Sequence, residues 1–426
     1  MASPQASQYN NVTEYDNSRS IEARAIKSRP LRLLFANPGL HAFGNNEGGI
    51  KSFRGLIVAM AAAGHECKVI SIPAPVPVDG SDHSQWGRLC STIQDGSAMP
   101  PISVDFTDDL PIVELRQGRG GVFEQIRRLL LIRKRFGALV RQRVQDWNPD
   151  WVVWENGAGN LRFALTLARG KLALSIASTL LLPFGPASSK EWFLSSSTSV
   201  YRRIPKIICA SVFMQKYVHN YAGLSSVYQP PVSYGAPPFR RVGRFDGAVT
   251  MVNPCVAKGA KIFEALAKSF PDTRFRAIKT YMGVYSGLRS LPNVEISPSR
   301  EDLDEALSDT SVLVVPSICG ESGAMIVLDA MLRGVPVIVS NDGGLPEYRL
   351  GVNDCIEVTP LRFVRTWTGA PRAIQAPVRV DPWCTALQPL ISDASIWEAR
   401  ASKSVEAAQS YLKKLSVSPL SDYLRT

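Results

Sequence analysis

Short apolar runs alternate with segments of helical periodicity along almost the whole chain, and this alternation is the strongest constraint on its fold. Residues 31–36 (LRLLFA) read as a buried strand, residues 50–61 carry apolar side chains at helical spacing, and residues 67–72 read as a second strand. A second alternating series runs from residue 248 to residue 340. Strands that alternate with helices predict parallel sheets, so we expect an α/β chain with two doubly wound, Rossmann-like sheets facing a central cleft.

The length of 426 residues exceeds one ordinary core and suits two domains of about 150 to 200 residues each. The Gly-, Pro- and Arg-rich segment 228–247 is the best candidate for an interdomain linker. We therefore predict a Rossmann-like N-terminal domain over 30–235 and a Rossmann-like C-terminal domain over 236–400. The polar residues 1–29 are predicted to form a mobile tail, and residues 401–426 a C-terminal helical segment.

Cysteine usage and hydropathy indicate the cellular compartment in which the protein is expected. The seven cysteines are widely spaced, odd in number and without a Cys-x-x-Cys pair, which argues against a disulfide framework and a zinc site. The N-terminus lacks the apolar run of a secretory signal, and no stretch approaches the roughly 20 apolar residues that span a bilayer. We expect a cytoplasmic protein without a transmembrane segment.

The net charge of +11 is concentrated in residues 116–143. That stretch has apolar residues at helical spacing, which predicts a crossover helix with a solvated basic face. Peripheral contact with an anionic membrane is the alternative interpretation. No basic, aromatic-rich motif is present, so we predict no nucleic-acid partner. The basic residues are Arg116, Arg119, Arg127, Arg128, Arg133, Lys134, Arg135, Arg141 and Arg143.

The most informative stretch is residues 314–338. A buried strand leads into a loop of small residues, and the helix that follows has free first-turn N–H groups that can bind an anion such as phosphate. Glu321 lies in the loop, and Asp329 lies about two helical turns further along on roughly the same face. Two such carboxylates can accept hydrogen bonds from one extended polyhydroxylated ligand. A capped crossover helix with two surface acids is the simpler alternative.

This stretch resembles the donor motif of retaining GT-B glycosyltransferases of family 4, in which Glu, seven residues and Glu precede an Ala-Met-x-x-Gly-x-Pro-Val tail. Glu321 matches the first acid, residues 330–337 (AMLRGVPV) match the tail, and Asp329 stands where the family has its second Glu. The resemblance implies that Glu321 binds hydroxyls of the transferred sugar and that Asp329 binds the ribose diol. The backbone at Gly323 to Met325 would hold the diphosphate and sugar. The implied donor-binding set here is Glu321, Ser322, Gly323, Ala324, Met325 and Asp329.

Residues 252–259 (VNPCVAKG) resemble a second family motif. By that resemblance Lys258, beside a helix start, binds the donor and neutralises the diphosphate that leaves as the glycosidic bond breaks. An ordinary surface lysine is the alternative interpretation. Many relatives carry an arginine five residues before this lysine. Asn253 occupies that donor-binding position here, so some of the leaving charge must be met elsewhere or not at all.

In the N-terminal half, Gly48 and Gly49 precede a helix and resemble the first loop of the family. Without side chains, these glycines let backbone N–H groups approach a phosphate or the acceptor closely. Many relatives present a histidine after the strand that here reads 151–154, where this chain has Glu155 and Asn156. Either Glu155 or Asn156 takes over the polar contact to sugar or acceptor, or that role is vacant. His41 is a less favoured substitute.

The resemblance covers roughly residues 31–415 and implies a retaining transfer of a sugar from a UDP- or GDP-sugar to an acceptor hydroxyl. It places the donor on the C-terminal domain and the acceptor on the N-terminal domain, with the last helix crossing back to the N-terminal domain. We predict no cofactor and no metal. Asp302-Leu303-Asp304 has the spacing of a metal-binding Asp-x-Asp motif, but it opens a helix, where acids favour capping.

Several functional alternatives stay open at this point. A small molecule or natural product is the favoured acceptor, and a membrane-surface lipid or polysaccharide is the alternative. Asn253, Asp329 and the missing histidine also suit a sugar-nucleotide-binding protein with weak or no transferase activity. An epimerase or phosphorylase of the same fold is a third, less favoured possibility.

Overall fold

The computed structural model of the chain describes residues 29–37, 48–71, 103–106, 122–155, 161–188, 198–235, 237–280, 283–300, 302–365 and 371–426. Asn156, His41, residues 1–28 of the predicted tail, and Arg116 and Arg119 of the basic segment lie outside these residues.

Two parallel sheets form the framework of the described structure. The first has the strand order β3-β2-β1-β4-β5-β6-β7, and the second has the order β10-β9-β8-β11-β12-β13. The strands of the first sheet are β1 (Arg32–Asn37), β2 (Glu66–Ser71), β3 (Ser103–Phe106), β4 (Trp151–Glu155), β5 (Leu172–Ile176), β6 (Lys206–Cys209) and β7 (Val227–Tyr228). Those of the second are β8 (Ala248–Val252), β9 (Phe275–Lys279), β10 (Val294–Pro298), β11 (Thr310–Val315), β12 (Val337–Ser340) and β13 (Asp354–Ile356).

A separate antiparallel hairpin consists of β14 (Arg362–Arg365) and β15 (Pro371–Ile374). The helices of the first half are α1 (Gly48–Ala62), α2 (Val122–Trp147), α3 (Leu161–Ala168), α4 (Thr198–Tyr201) and α5 (Val212–Ala222). Those of the second half are α6 (Ala260–Ser269), α7 (Leu303–Leu307), α8 (Met325–Leu332), α9 (Leu345–Tyr348), α10 (Asp381–Ser392), α11 (Ala394–Leu412) and α12 (Ser418–Arg425). Two short 3₁₀ helices span Val256–Lys258 and Ser286–Ser290.

The strand order reverses at the same point in both sheets. β1 pairs in parallel with both β2 and β4, and β8 pairs in parallel with both β9 and β11. In doubly wound sheets, ligands bind beyond the carboxyl ends of the strands at such a switch point. The predicted α/β class with two doubly wound, Rossmann-like sheets is therefore confirmed, and its topology indicates where a ligand would bind.

The central strands of both sheets are buried on both faces, which explains why their sequences are apolar runs rather than alternating patterns. Leu33 and Leu34 of β1 are both fully buried, as are Val312, Leu313 and Val314 of β11. Side chains that point to opposite faces of one strand therefore enter separate apolar clusters under different helices.

The two last helices pack against different sheets. Ala408 of α11 lies in the apolar cluster that covers β11 and β12. Leu420 and Leu424 of α12 lie instead in the cluster that includes Leu33 of the first sheet. The Trp151 Nε1–H group donates to the Leu424 carbonyl at 2.6 Å, which fixes the end of α12 against β4. The chain thus passes from the second sheet back to the first.

Among the described residues, no helix has both the length and the apolar character needed to cross a bilayer. The described part of the basic segment lies in α2, Val122–Trp147. Phe136 and Val140 of this helix are buried in the first-half core, whereas Lys134 and Arg141 are exposed. These four residues show one apolar face and one solvated face.

Candidate functional site

Lys258 and Glu321 form an ion pair at the switch point of the second sheet. Lys258 follows β8 and Glu321 follows β11, and the Lys258 Nζ atom donates a short hydrogen bond to Oε2 of Glu321. The two side chains are 22% and 16% exposed. Burial by itself would lower the pKa of Lys258, but the neighbouring Glu321 charge outweighs it and raises the pKa overall. Lys258 therefore remains a cation at neutral pH.

The sequence context suggested that Lys258 lies at the start of the long helix α6. In the structure it lies before that helix. It is the last residue of the 3₁₀ helix Val256–Lys258, and α6 begins only at Ala260. Gly259 between them has a φ of +84°, and a Cβ atom there would meet the Pro316 carbonyl oxygen at 1.9 Å. The glycine thus allows the lysine turn to approach the backbone after β11, on which Glu321 also lies.

The loop 316–324 is held in shape by the loop that follows β12. Asp342, 5% exposed, accepts a hydrogen bond from the Gly320 N–H group at 2.5 Å. The Gly344 N–H group donates to the Glu321 carbonyl at 2.6 Å. Gly343 has a φ of +65°, and a Cβ atom there would lie 2.1 Å from the Glu321 carbonyl oxygen. The segment 341–347 therefore positions the backbone of Glu321.

Asp342 provides a pH-dependent test of this arrangement. Burial raises the pKa of its carboxyl from an ordinary 3.8 to about 6, against the lowering effect of the Gly320 N–H group. The folded state then binds more protons than the unfolded chain between these pH values, so the contribution of Asp342 to stability falls as pH rises from about 4 to about 6. Above about pH 6 this contribution stays level.

We expect Asp342→Asn to remove that pH dependence. The unfolding free energy of the wild type minus that of the variant should be larger at pH 4 than at pH 7, by about 2 to 3 kcal/mol for a shift of this size. Urea titrations at pH 4, 5, 6 and 7 measure the difference. The exposed Asp272→Asn variant is the matched control. A difference that is constant across this range would contradict the buried setting of Asp342.

The helix α8 follows the small-residue loop that contains Glu321. The structure begins the helix at Met325, and Ala324 precedes it without a side-chain cap. A Cβ atom on Gly323 would lie 2.9 Å from the Tyr348 hydroxyl. Gly323 and Ala324 therefore continue the loop, while the helix start still offers N–H groups without a side-chain acceptor from the capping residue.

The second acid of the motif, Asp329, is buried and already bonded. Lys51 of α1 donates from Nζ to both of its carboxylate oxygens, at 3.0 and 2.8 Å. Arg333, one turn further along α8, has its Nη1 atom 3.8 Å from Oδ1. Burial raises the pKa of the Asp329 carboxyl, and the charges of Lys51 and Arg333 act against that rise. The Lys51 contact is one that the sequence did not indicate.

Several hydrogen bonds join the carboxyl edges of the two sheets directly. Thr179 donates to the carbonyls of Gly320 and Cys319 at 2.8 and 3.2 Å, and Ser322 donates to the Ala177 carbonyl. Both partners from the first half follow β5. The edge that carries Glu321 therefore faces the edge of the first sheet.

A second junction lies between α9 and the start of α5. The Glu347 carboxylate accepts from the N–H groups of Val212 and Phe213 at 2.9 and 2.6 Å. Ser211 caps the same helix end through Met214, as its sequence predicted. The acid thus binds free N–H groups at a helix start in the opposite half of the molecule.

Gly49 and Glu155, both in the first half, lie next to each other near the carboxyl edge of the first sheet. A Cβ atom on Gly49 would lie 3.1 Å from Oε1 of Glu155 and 4.0 Å from the Cβ atom of Ala177. A cavity of about 20 Å³ opens beside them, which is room for about one water molecule. Glu155 is 4% exposed. Ala177 links this pair to Ser322, so predicted residues from both halves meet at one place. For Gly48, by contrast, no atom of the described residues lies within 4 Å of where a Cβ atom would be.

Asn253 occupies a separate part of the second-sheet edge. Its φ is +67°, an uncommon backbone conformation that Asn tolerates better than most residues. Its Oδ1 atom accepts a hydrogen bond from the Thr280 hydroxyl. The side chain thus binds the loop after β9 and brings no positive charge toward Lys258.

The Asp302-Leu303-Asp304 segment opens α7. The Asp302 side chain accepts from the N–H groups of Asp304 and Glu305, at 2.7 and 3.4 Å, in the manner of an N-cap. Asp304 in turn accepts from Nε of Arg333 at 2.6 Å. Both acids are therefore engaged in local structure, in agreement with the capping interpretation.

Comparisons with known proteins show that the chain is similar to glycosyltransferases. Residues 291–349 match the sequence model of the family described as Glycosyl transferases group 1. No curated protein gives a significant match. Sucrose-phosphate synthase from Thermosynechococcus elongatus has a similar structure, with a TM-score of 0.62 at 14% identity, covering 90% of this chain and 95% of that one.

Two further solved structures are similar over nearly their whole length. HepE from Anabaena in complex with UDP-glucose has a TM-score of 0.57 at 14% identity, covering 93% of this chain and 98% of its own. WaaG, a glycosyltransferase involved in lipopolysaccharide biosynthesis, has a TM-score of 0.57 at 12% identity, covering 92% and 98%. At such low identity the likeness shows the fold, which is GT-B.

The predicted resemblance to group 1 glycosyltransferases is confirmed by the family match and by this fold. The matched segment 291–349 includes Glu321, Asp329 and the loop that contains Asp342.

Proposed function

We propose that this protein is a retaining glycosyltransferase that moves a sugar from a nucleotide diphosphate sugar to an acceptor hydroxyl without a metal ion. The observation that carries the proposal is the Lys258–Glu321 ion pair at the switch point of the second sheet. It combines a cation for the diphosphate with a carboxylate for sugar hydroxyls. The paired side chains remain partly exposed, so a ligand can reach them.

In the proposed complex the donor extends along the loop and the first turns of α8. The sugar lies at Glu321, the diphosphate at Ser322 and the backbone of Gly323 to Met325, and the ribose at Asp329. The N–H groups at the start of α8 favour a diphosphate in that position because they carry partial positive charge. Asn253 is proposed to contribute a polar rather than a charged contact.

Transfer requires that the bond between the sugar anomeric carbon and the diphosphate oxygen breaks, with its electron pair passing to the diphosphate. The acceptor oxygen forms the new bond to that carbon, and its proton passes to the departing diphosphate. Lys258 stabilises the negative charge that grows on the diphosphate in the transition state. Retention rests on the resemblance to family 4, and NMR of the product's anomeric signal tests it.

The first-half residues Gly48, Gly49, Glu155 and Asn156 are proposed to face the sugar and acceptor. Support comes from Glu155, whose carboxylate lies beside Gly49 at the carboxyl end of β4. Closure of the two halves over the substrates would exclude water from the reaction. We propose Glu155 as the polar group that replaces the family histidine.

The donor nucleotide is proposed to be UDP or GDP. The HepE structures, which share this fold, contain UDP or UDP-glucose, so UDP is the first to test. Metal independence is supported by Lys258 and the α8 start, which supply positive charge where a cation would otherwise be needed. No further cofactor is proposed.

A small molecule or natural product is the proposed acceptor, and a cytoplasmic location is proposed with it. A lipid or polysaccharide at an anionic membrane surface is the alternative acceptor. That alternative is supported by α2, whose exposed Lys134 and Arg141 lie opposite its buried face. Vesicle flotation with phosphatidylglycerol distinguishes the two: binding favours the membrane acceptor.

A specific observation also favours a protein that binds sugar nucleotides without transferring the sugar. Asn253, at the position where many relatives carry an arginine, accepts a hydrogen bond from Thr280 and brings no positive charge to a leaving diphosphate. One experiment separates the candidates. The protein is mixed with UDP, GDP or ADP and its melting temperature is measured, because a ligand at a hundred times its Kd stabilises the folded state by about 2.7 kcal/mol.

Donor consumption is then followed with the sugar nucleotide of the base that binds. Stabilisation together with slow donor hydrolysis supports the transferase. Stabilisation without any consumption supports the binding protein. If none of the nucleotides changes the melting temperature at millimolar concentration, the proposed donor site is wrong.

A further inference from the structure

Lys51 holds an unusual position between the two halves of the molecule. It lies in the first turn of α1, shortly after Gly49, while its partner Asp329 lies on α8, 278 positions away in sequence. The Asp329 side chain is 3% exposed, but the Lys51 side chain is 21% exposed. The lysine therefore reaches from the first half into the donor site while keeping access to solvent.

We propose that Lys51 is a donor-binding residue that exchanges Asp329 for the diphosphate when the donor binds. This inference rests on the proposed function and deepens it. In this proposal Lys51 pairs with Asp329 before the donor binds and with the diphosphate afterwards.

The charges around Asp329 make this exchange feasible. Arg333 has Nη1 3.8 Å from the Asp329 carboxylate and donates to the Asp329 carbonyl at 3.1 Å. It is anchored by a 2.6 Å bond from Nε to Asp304. A buried carboxylate left without any cation would be costly. With Arg333 fixed nearby, Asp329 keeps a cation even when Lys51 moves away.

The required movement is short. In an α-helix the rise is about 1.5 Å per residue, so the four-residue step from Met325 to Asp329 spans about 6 Å along the axis. The proposed diphosphate lies at the start of this helix. The flexible four-carbon side chain of lysine can cover such a distance without backbone motion.

Tyr234 limits where the ammonium group can go. Its buried ring lies with the centroid 6.0 Å from Lys51 Nζ, within the range of a cation–π contact. The ring side is therefore closed to Lys51. Movement is directed along α8 instead, toward the exposed part of the site.

Charge balance supplies the reason for the exchange. Lys258 is already matched by Glu321, and Asn253 brings no charge to the site. A bound diphosphate would add negative charge that these residues leave uncompensated. When the ribose diol takes the oxygens of Asp329, Lys51 loses acceptors, and the diphosphate is the closest new acceptor for its ammonium group. A cation so placed strengthens binding through charge-assisted hydrogen bonds.

The test compares two probes that differ only in their phosphates, UDP and uridine. We expect Lys51→Met to weaken the binding of UDP about tenfold or more, as loss of a charged hydrogen bond does. The affinity for uridine should stay unchanged or rise, because Lys51 no longer competes for Asp329. Lys51→Arg, which keeps the charge, should restore most of the UDP affinity. Calorimetry measures the affinity for UDP, and ligand-observed NMR measures the weaker affinity for uridine.

The controls separate this role from a structural one. Lys403→Met removes an exposed lysine of α11 and should leave both affinities unchanged. The double variant Lys51→Met/Asp329→Asn removes both charges of the pair, and circular dichroism checks that it and Lys51→Met are folded. If folding of Lys51→Met fails, the double variant is compared with Asp329→Asn alone, and the same selective loss of UDP binding is expected.

Three outcomes are informative. Selective weakening of UDP supports the exchange. Unchanged UDP binding by Lys51→Met, or an equal loss for UDP and uridine, overturns it while the proposed function stands. If the wild type itself binds neither UDP nor GDP, the donor site is wrong, and the inference falls with it.

Discussion

Replacement of Lys258 by alanine is expected to lower the rate of sugar transfer by about a hundred- to a thousand-fold, the effect of removing one donor to a developing negative charge. The loss should appear in kcat, because charge on the diphosphate grows toward the transition state. Lys258 lies on the edge of the second sheet with its cation held toward Glu321. The measurement is steady-state release of the nucleoside diphosphate.

Lys403→Ala, on the exposed side of α11, is the matched control and should transfer at the wild-type rate. Circular dichroism establishes that Lys258→Ala is folded. Removal of Lys258 leaves Glu321 without its cation, so a moderate decrease in melting temperature is also expected. A folded Lys258→Ala variant with a wild-type kcat would show that Lys258 has no role in the transfer, and its assignment to the site would be wrong.

Glu321→Ala is expected to lower transfer by a similar factor of about a hundred or more, since a carboxylate that binds sugar hydroxyls positions the reacting carbon. Unlike that of Lys258→Ala, its effect should depend on whether the ligand carries a sugar. UDP has no sugar, so the affinity for UDP should change little. The affinity for the UDP-sugar should fall toward that for UDP.

The ratio of the two dissociation constants therefore identifies what Glu321 contacts. Glu406→Ala, which removes an exposed acid of α11, is the control. The ion pair adds one expectation: without Glu321, Lys258 is free to bind phosphate, so the affinity for UDP should stay the same or rise. Wild-type transfer by Glu321→Ala, or a loss of affinity that is equal for UDP and the UDP-sugar, would contradict sugar binding by this side chain.

Much of the fold could be predicted from the sequence because its signals are local. β8 and β11 appear as apolar runs, and the first-half helix after Gly49 appears as a 3.6-residue period. Buried parallel strands are apolar on both faces, so their sequences are unusually clear. Ser211 was identifiable as an N-cap for the same reason, since a cap acts on N–H groups two or three residues away.

The details of the helix ends were less predictable. A proline inside a helix removes one backbone hydrogen bond, so the sequence predicts an end at Pro389, yet α10 continues through it to Ser392. Trp383, Leu387 and Leu390 of this helix are buried in the second-half core. Burial on both sides of the proline stabilises the helix against the loss of one backbone hydrogen bond. Local propensity was outweighed by tertiary packing.

For the candidate site, the sequence indicated the individual residues but not all of their partners. Glu321 and Lys258 were each identifiable from motifs, but the ion pair between them spans 63 positions. Lys51 gave no sequence signal, because a lysine in the first turn of an amphipathic helix looks like any solvated residue. Asp342 and Glu347 belong to a recognisable loop, but their bonds to Gly320 and to the α5 start depend on the packing of that loop.

By itself the sequence determined that the chain forms two doubly wound sheets and that a small-residue loop with Glu321 precedes a helix. These are properties of neighbouring residues, and hydrophobic periodicity records them directly. Only the tertiary structure decided that Lys51 meets Asp329 and that Ser322 meets the strand edge near Glu155. Such contacts join residues far apart in sequence, and they exist because the carboxyl edges of two separate sheets face each other.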